Sequence, residues 1–382
     1  SILKSDISSR NKSVTEKSNI SRLTFLIILG ALSFMFIQGT TKFPKNNRLA
    51  GTLSKKDVPS LSLGSWIEMD FQSAISFNVD KDFGFRPSIV RFFNELRYRL
   101  FNEFNRQVVV GDDGYLFERG YRKSVCGLDF LGEEQIQLRV DSLESLRLKL
   151  EGQGKKLLLF IPPNKWRAHE DKVDWDCKKT NQTNYHVFCE KLYEQGFYLF
   201  DHMDYFRWEM KSTPYPMYSK QGTHWSIYGA AVSSLSVIAS FRSEGIEIPS
   251  VSFESIELSS PRNTDKDLHD LLNIMSHPER EGDSLAYPTL GFKGEEKPRV
   301  LIIGDSYYWT YYYLGLHQGL FHPESKYFYY NSTMIGQDGD IRTPVTSEIR
   351  SAELEASDVV LLVMCEPSLA DFGYGLLEQT LD

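Results

Sequence analysis

The sequence predicts an α/β protein, a mainly parallel sheet with helices on both faces, preceded by one N-terminal transmembrane helix. Three observations carry that reading. Continuous apolar runs at Lys156 to Ile161, Val300 to Ile303 and Val359 to Met364 stop abruptly at proline, glycine or polar residues, the pattern of strands buried on both faces. Stretches with apolar residues at helical spacing lie between them, as the crossovers of a parallel sheet require. Leu23 to Gln38, reading LTFLIILGALSFMFIQ, carries no charge.

Taken in order, that first run is about sixteen residues long, at the lower edge of the roughly 20 that cross a bilayer. No small-x-small cleavage site accompanies it, so residues 23–39 read as an uncleaved signal anchor behind a cytoplasmic leader, 1–22. The cations on its two sides are nearly balanced and do not choose an orientation. Residues 40–65, with Pro44, Gly51, Pro59 and Gly64, read as a stalk, and 66–382 as one soluble body. Ile89, Phe92, Phe93, Leu96, Leu100 and Phe104 recur at helical spacing and predict an amphipathic helix over 88–104. Gln107 to Val110 and Gly114 to Phe117 are short strands joined through an Asp-Asp-Gly turn. A helix over 138–150 leads into the strand that ends at Pro162-Pro163, and a helix over 184–195 into a strand over 197–200. A further helix runs over 226–241, before the strands that begin at Val300 and Val359. No internal repeat is visible.

Composition narrows the function classes. With 43 basic and 51 acidic residues the net charge is −8, which argues against a nucleic-acid binder. The 41% of apolar and 25% of charged residues are ordinary globular values and exclude disorder or a polytopic membrane protein. Aromatic residues make up 13%, enough to furnish a carbohydrate surface after the core is packed. Of the four cysteines, Cys365 and Cys189 sit in apolar patterns and read as buried thiols, while Cys126 and Cys177 lie in polar loops and are the pair that an oxidising compartment would join. Cys177, His186 and Cys189 lack the spacing of a compact zinc motif, and no metal or organic cofactor is implied.

In parallel α/β sheets chemistry collects beyond the carboxyl ends of the strands. Ser306 follows such an end directly, in Val300-Leu-Ile-Ile-Gly-Asp-Ser306, where a turn into a helix exposes a hydroxyl to act as nucleophile or, more plainly, as part of a helix cap. His224, in Gly222-Thr-His-Trp225, precedes the helix over 226–241 and is placed to serve as its general base. Lys165 follows the prolines at a third strand end and is a candidate to face substrate, as is Trp225. The run Tyr307 to Tyr313 offers Tyr307, Tyr308 and Trp309 for stacking on a sugar, although a helix there must bury several of these rings. Asn331, after Tyr330, is a candidate oxyanion donor or a turn asparagine.

The order Asp82-Phe-Gly-Phe-Arg86, Val109-Val-Gly-Asp-Asp-Gly-Tyr-Leu-Phe117, Ile161-Pro-Pro-Asn-Lys165, Gly222-Thr-His-Trp225, Ile303-Gly-Asp-Ser306 and Asp358 to Glu366 resembles the SGNH-hydrolase-like domain of the bacterial alginate O-acetyltransferase group, of AlgJ and AlgX type. The resemblance spans roughly 66 to 370. It implies an SGNH-hydrolase-like fold, Ser306 as the acyl-accepting nucleophile and His224 as its base. It further implies a soluble domain on the periplasmic side of the inner membrane, an MBOAT-family multispanning acyltransferase as partner, an acyl donor and a polysaccharide acceptor. One position departs from it. The family carries an acid two residues before the histidine, and here Gly222 stands there. A backbone carbonyl, or an acid from another loop such as Asp201 or Asp204, would then have to orient His224, unless the pair works unassisted or has lost catalysis.

The expected function is therefore membrane-anchored, extracytoplasmic O-acyl transfer, most simply O-acetyl transfer, through an acyl-serine to a polysaccharide hydroxyl. The alternatives are a noncatalytic carbohydrate-binding or scaffolding subunit of an MBOAT complex, and a carbohydrate esterase using the same residues.

Overall fold

The computed structural model describes residues 2–51, 55–101, 107–175, 177, 180–197, 199–276, 284–336, 339 and 342–381. The chain forms two compact units, Ser1–Glu103 with Leu271–His277, and Phe104–Asp270 with Pro278–Asp382. The first is helical. A long helix, Ile2–Thr41, contains a stretch, Ser21–Thr41, that is long and apolar enough to cross a membrane, with a mean hydropathy of 1.9. Three shorter helices follow at Leu63–Ile67, Asp70–Asp82 and Arg86–Phe101.

The second unit is the α/β body. It opens on a hairpin of β1 (Val108–Val110) and β2 (Leu116–Glu118). The helix Glu133–Glu151 leads to β3 (Lys156–Ile161), and the helix Asn184–Glu194 leads to β4 (Leu199–Asp201). After the helix Ile227–Ser243 come β5 (Ser250–Ser259) and β6 (Leu285–Lys293), which pair antiparallel with each other. The remaining strands are β7 (Val300–Gly304), β8 (Lys326–Tyr329), β9 (Thr333–Ile335), β10 (Arg342–Pro344) and β11 (Val359–Val363). Seven strands make the central sheet in the order β10-β9-β8-β7-β11-β3-β4. From β8 to β4 every pairing is parallel, and β9 and β10 extend one edge antiparallel.

Alternation along these strands builds two cores. Leu158, Phe160, Ile302, Leu361 and Val363 face one side, with Val237, Ile238 and Phe241 of the helix Ile227–Ser243. Leu157, Leu159, Ile161, Leu301, Ile303, Val360 and Leu362 face the other, with Ile136, Val140, Leu143 and Leu146 of the helix Glu133–Glu151. Both faces are dry, which is why the strand sequences read as unbroken apolar runs. A buried ion pair locks the carboxyl ends of β3 and β11 together. Arg167 donates to both oxygens of Glu366, at 2.6 and 2.8 Å, and the Asn164 amide donates to the same carboxylate at 3.0 Å. Cys126 and Cys177 form a disulfide, while Cys365 is a buried thiol and Cys189 a partly buried one.

Candidate active site

Ser306 is the second residue beyond β7, in the middle of the sheet, and begins the short helical turn Ser306–Tyr308. The turn is built by Asp305. Its fully buried carboxylate accepts from the Tyr307 backbone N–H at 3.0 Å through one oxygen. Through the other it accepts from the Cys365 N–H at 2.6 Å, the Ser368 hydroxyl at 3.0 Å and the Tyr374 hydroxyl at 3.1 Å. Four donors from two strand ends thus fix the backbone that carries the serine, a task for which a charged acceptor suits better than an amide.

His224 arrives from the segment between the helix His202–Glu209 and the helix Ile227–Ser243. Ser226 caps the latter by accepting from the Gly229 N–H at 2.9 Å. The buried Trp225 side chain pins the loop by donating to Thr310 Oγ1 at 2.6 Å and stacking on Tyr311 at 5.8 Å. The imidazole is thereby aimed at the sheet edge. Its Nε2 lies 2.8 Å from Ser306 Oγ, and its Nδ1 lies 2.6 Å from Asp267 Oδ2. The second Asp267 oxygen accepts from the Thr223 N–H at 2.8 Å, so one carboxylate holds both the ring and the backbone before it. Asp267 opens the helix Asp267–Leu272, where a negative charge is favoured.

The electrostatics follow from this wiring. Burial disfavours the imidazolium, but Asp267 beside it, with Asp305 and Glu118 further off, raises the His224 pKa above its ordinary value. Glu118, at the end of β2, is itself raised, chiefly by desolvation, against the pull of His224 and a hydrogen bond from Thr223. Two residues before Asp267, Asp265 is buried, and burial pushes it up to about 7 against hydrogen bonds from the Tyr287 hydroxyl and the Ile227 N–H. The Tyr330 hydroxyl is close enough to Ser306 for the two to interact.

Ser306 and His224 line a cleft of about 400 Å³, together with Thr264, Trp309, Tyr312, Tyr313, Gln318, Gly339 and Arg342. The Arg342 guanidinium lies over the Trp309 ring at 5.6 Å. This is the size and lining of a small-molecule or single-sugar site.

The family model of the SGNH hydrolase-like domain, acetyltransferase AlgX, matches residues 108–320, more than half of the chain. The chain belongs to this acetyltransferase family. Among solved structures, the O-acetyltransferase domain of Pseudomonas putida AlgJ aligns at 15% identity over 69% of this chain and 92% of that one, with a TM-score of 0.43. Bacillus cereus PatB1 aligns at 14% identity over 69% and 96%, with a TM-score of 0.45. Pseudomonas aeruginosa AlgX aligns at 14% identity over 70% and 66%, with a TM-score of 0.43. A comparison with curated proteins gives no match.

The AlgX-type domain has Gly222 where the sequence pattern calls for an acid, and the structure shows why a side chain has no room there. A Cβ on Gly222 would fall on the carbonyl oxygen of Thr264 and against Asp265, the segment that delivers Asp267. The acid at His224 Nδ1 is thus Asp267, 43 residues downstream. Of the two acids weighed from the sequence, Asp204 is exposed and pairs with Arg207 at 3.3 Å, and the Asp201 side chain lies outside the described residues.

Several other expected site residues are not at the cleft. Lys165 is 1% exposed and donates to the carbonyls of Leu116, Lys220 and Gly222 at 2.8, 3.1 and 2.6 Å, tying the β2 strand to the loop that carries His224. Burial pushes its ammonium down to about 7, against the pull of Asp267 and Asp265. Asn331 is also buried. Its amide donates to the Tyr374 carbonyl at 3.1 Å and its oxygen accepts from Arg350 at 3.0 Å, so it is not directed at an oxyanion, and its neighbour Tyr330 contacts the serine instead. Trp225, Tyr307 and Tyr308 are core residues, Tyr307 packing edge-on against His224 and Tyr308 hydrogen-bonded to His317 at 2.8 Å. Trp309 alone of the three proposed stacking rings lines the cleft.

Proposed function

We propose that this acetyltransferase-family chain transfers an O-acyl group, most simply acetyl, through Ser306 to a hydroxyl of an extracytoplasmic polysaccharide. The observation that carries the reading is the continuous hydrogen-bonded series Ser306, His224, Asp267 at the mouth of an aromatic cleft. Ser306 Oγ attacks the donor carbonyl as its proton passes to His224 Nε2, and Asp267 stabilises the imidazolium through Nδ1–H. The Tyr330 hydroxyl, close to Ser306, is the group that would donate to the carbonyl oxygen as it gains charge. His224 then protonates the leaving group. In the second half a hydroxyl of a sugar stacked on Trp309 gives its proton to His224 and attacks the acyl carbon, and the departing Ser306 Oγ takes that proton back from His224 Nε2.

Ser21–Thr41 serves as a membrane anchor, and the disulfide between Cys126 and Cys177 supports a periplasmic body; an MBOAT-type donor protein is the partner that the family resemblance implies. The test is incubation of the detergent-solubilised full chain with an activated acetyl ester and intact-mass analysis. One acetyl group is expected on the wild type, mapped to Ser306, and none on Ser306→Ala. An unmodified wild type that still supports polymer acetylation in cells as well as Ser306→Ala does would overturn the reading.

A further inference from the structure

The helix Arg86–Phe101 is inside out. The Arg91, Asn94 and Glu95 side chains face the protein. Arg91 donates to the carbonyls of Asn47 and Arg48 at 3.0 and 2.7 Å, and Asn94 donates to that of Leu272 at 3.0 Å. The Glu95 carboxylate, 8% exposed, accepts from the N–H groups of Met275 and Ser276 and from the Ser276 hydroxyl. The apolar stripe of Ile89, Phe92, Phe93, Leu96 and Leu100 faces outward, with Phe92 56% and Leu100 67% exposed. A water-facing helix has the opposite arrangement, and a stripe of this kind marks a surface meant for an apolar environment.

The attachment of this helix says which environment. The turn that precedes it packs on the side of the spanning helix. The Phe85 and Phe34 rings stack at 4.9 Å, and the buried Gln38 amide donates to the Pro44 carbonyl and accepts from the Phe85 N–H, both at 2.9 Å. Gly84 sits against the Met35 carbonyl so closely that a Cβ would overlap it. Phe34 lies seven residues before the end of the helix at Thr41, so at 1.5 Å per residue the turn is held about 10 Å inside the end of the apolar span. The helix also carries four arginines against one glutamate, the sign that anionic headgroups attract. Trp66 and Ile67 of the short helix Leu63–Ile67 are exposed in the same unit.

We propose that residues 61–101 form a second, interfacial membrane contact, with the stripe from Ile89 to Leu100 sunk into the leaflet on the side where the spanning helix ends. The occupant of this surface is lipid, and the inference rests on the reading of Ser21–Thr41 as a spanning helix.

The test uses the full chain in lipid nanodiscs containing phosphatidylglycerol, in a Cys189→Ser background, since Cys365 is buried. An environment-sensitive fluorophore is attached at Phe92→Cys, Leu100→Cys or, in the span, Leu29→Cys. Labels at 92 and 100 are expected to lose roughly half of their emission to a nitroxide near the top of the acyl chain and to be shielded from aqueous iodide. Quenching of both by iodide as strongly as free dye would overturn the proposal. So would protection from both quenchers, which would mean that a protein partner covers the stripe. A label at 29 that deep nitroxides do not quench removes the spanning reading instead, so the two failures are distinguishable.

Discussion

In the proposed mechanism Asp267 is the residue on which the acid–base chemistry turns. Asp267→Asn keeps the shape but favours the wrong imidazole tautomer, and kcat for acetyl transfer should fall by about 10⁴, read with an activated ester and a sugar acceptor. The same pair sets the pH dependence. His224 must be neutral to accept a proton, and its pKa is raised, so kcat/KM should climb with pH through a value above the ordinary 6.5. In Asp267→Asn the residual activity should show that limb at lower pH, because burial then acts without its opposing charge. Stability runs the other way. A raised histidine pKa contributes stability that is complete below the unfolded-state value and is lost as pH rises through the folded one. An unshifted pH profile in Asp267→Asn would sink the assignment of Asp267 as partner of His224. Ser306 stood out in the sequence at its strand end, but its pairing with His224 was legible only through the ordered motifs of the family resemblance. Asp267 was not, since Asp265, Asp267 and Asp270 look alike in sequence and only the fold brings one of them to Nδ1. Tyr330 was overlooked for the asparagine beside it, since both residues take left-handed backbone angles and the sequence does not say which side chain the bend turns toward the serine.

Among the elements, the segment Asn263–Lys266 and the loop at Gly222 fit each other like facing pages. The restored family acid, Gly222→Asp, should therefore harm the enzyme. Its side chain must displace the Thr264 backbone and with it Asp267, and we expect a loss of about 2–4 kcal/mol in urea unfolding together with at least a roughly hundredfold loss of kcat. A variant as stable and active as wild type would show that the segment yields freely. Strand legibility divides along similar physical lines. The strands β3, β7 and β11 are dry on both faces and announce themselves. The pair β5 and β6 was invisible because a register shift between Phe253 and Ser255 moves the apolar side chains from Val251 and Phe253 to Ile256 and Leu258, breaking the period of two. In β6, Pro288 and Gly291 imitate a loop. The strands β9 and β10, three residues each, are too short to carry any period.

For the whole molecule, the disulfide between Cys126 and Cys177 closes a loop of 51 residues that runs from the hairpin past β3. Replacing both cysteines by serine should lower the unfolding free energy by about 2–4 kcal/mol, measured by urea titration, and reductant should have the same effect on the wild type and none on the variant. Identical midpoints for the two proteins would mean that the bridge adds no constraint. The pairing was readable from loop polarity, whereas the outward-facing stripe of Arg86–Phe101 was readable only as a stripe, since periodicity marks an apolar face without saying what it meets. The displaced acid has a consequence for how such proteins are sorted in genomes. A signature that demands an acid two residues before the histidine would file this chain among inactive paralogues. Filtering on geometry, for any carboxylate within hydrogen-bond reach of the histidine, would keep it among the enzymes and would retrieve other relatives whose acid has migrated along the chain.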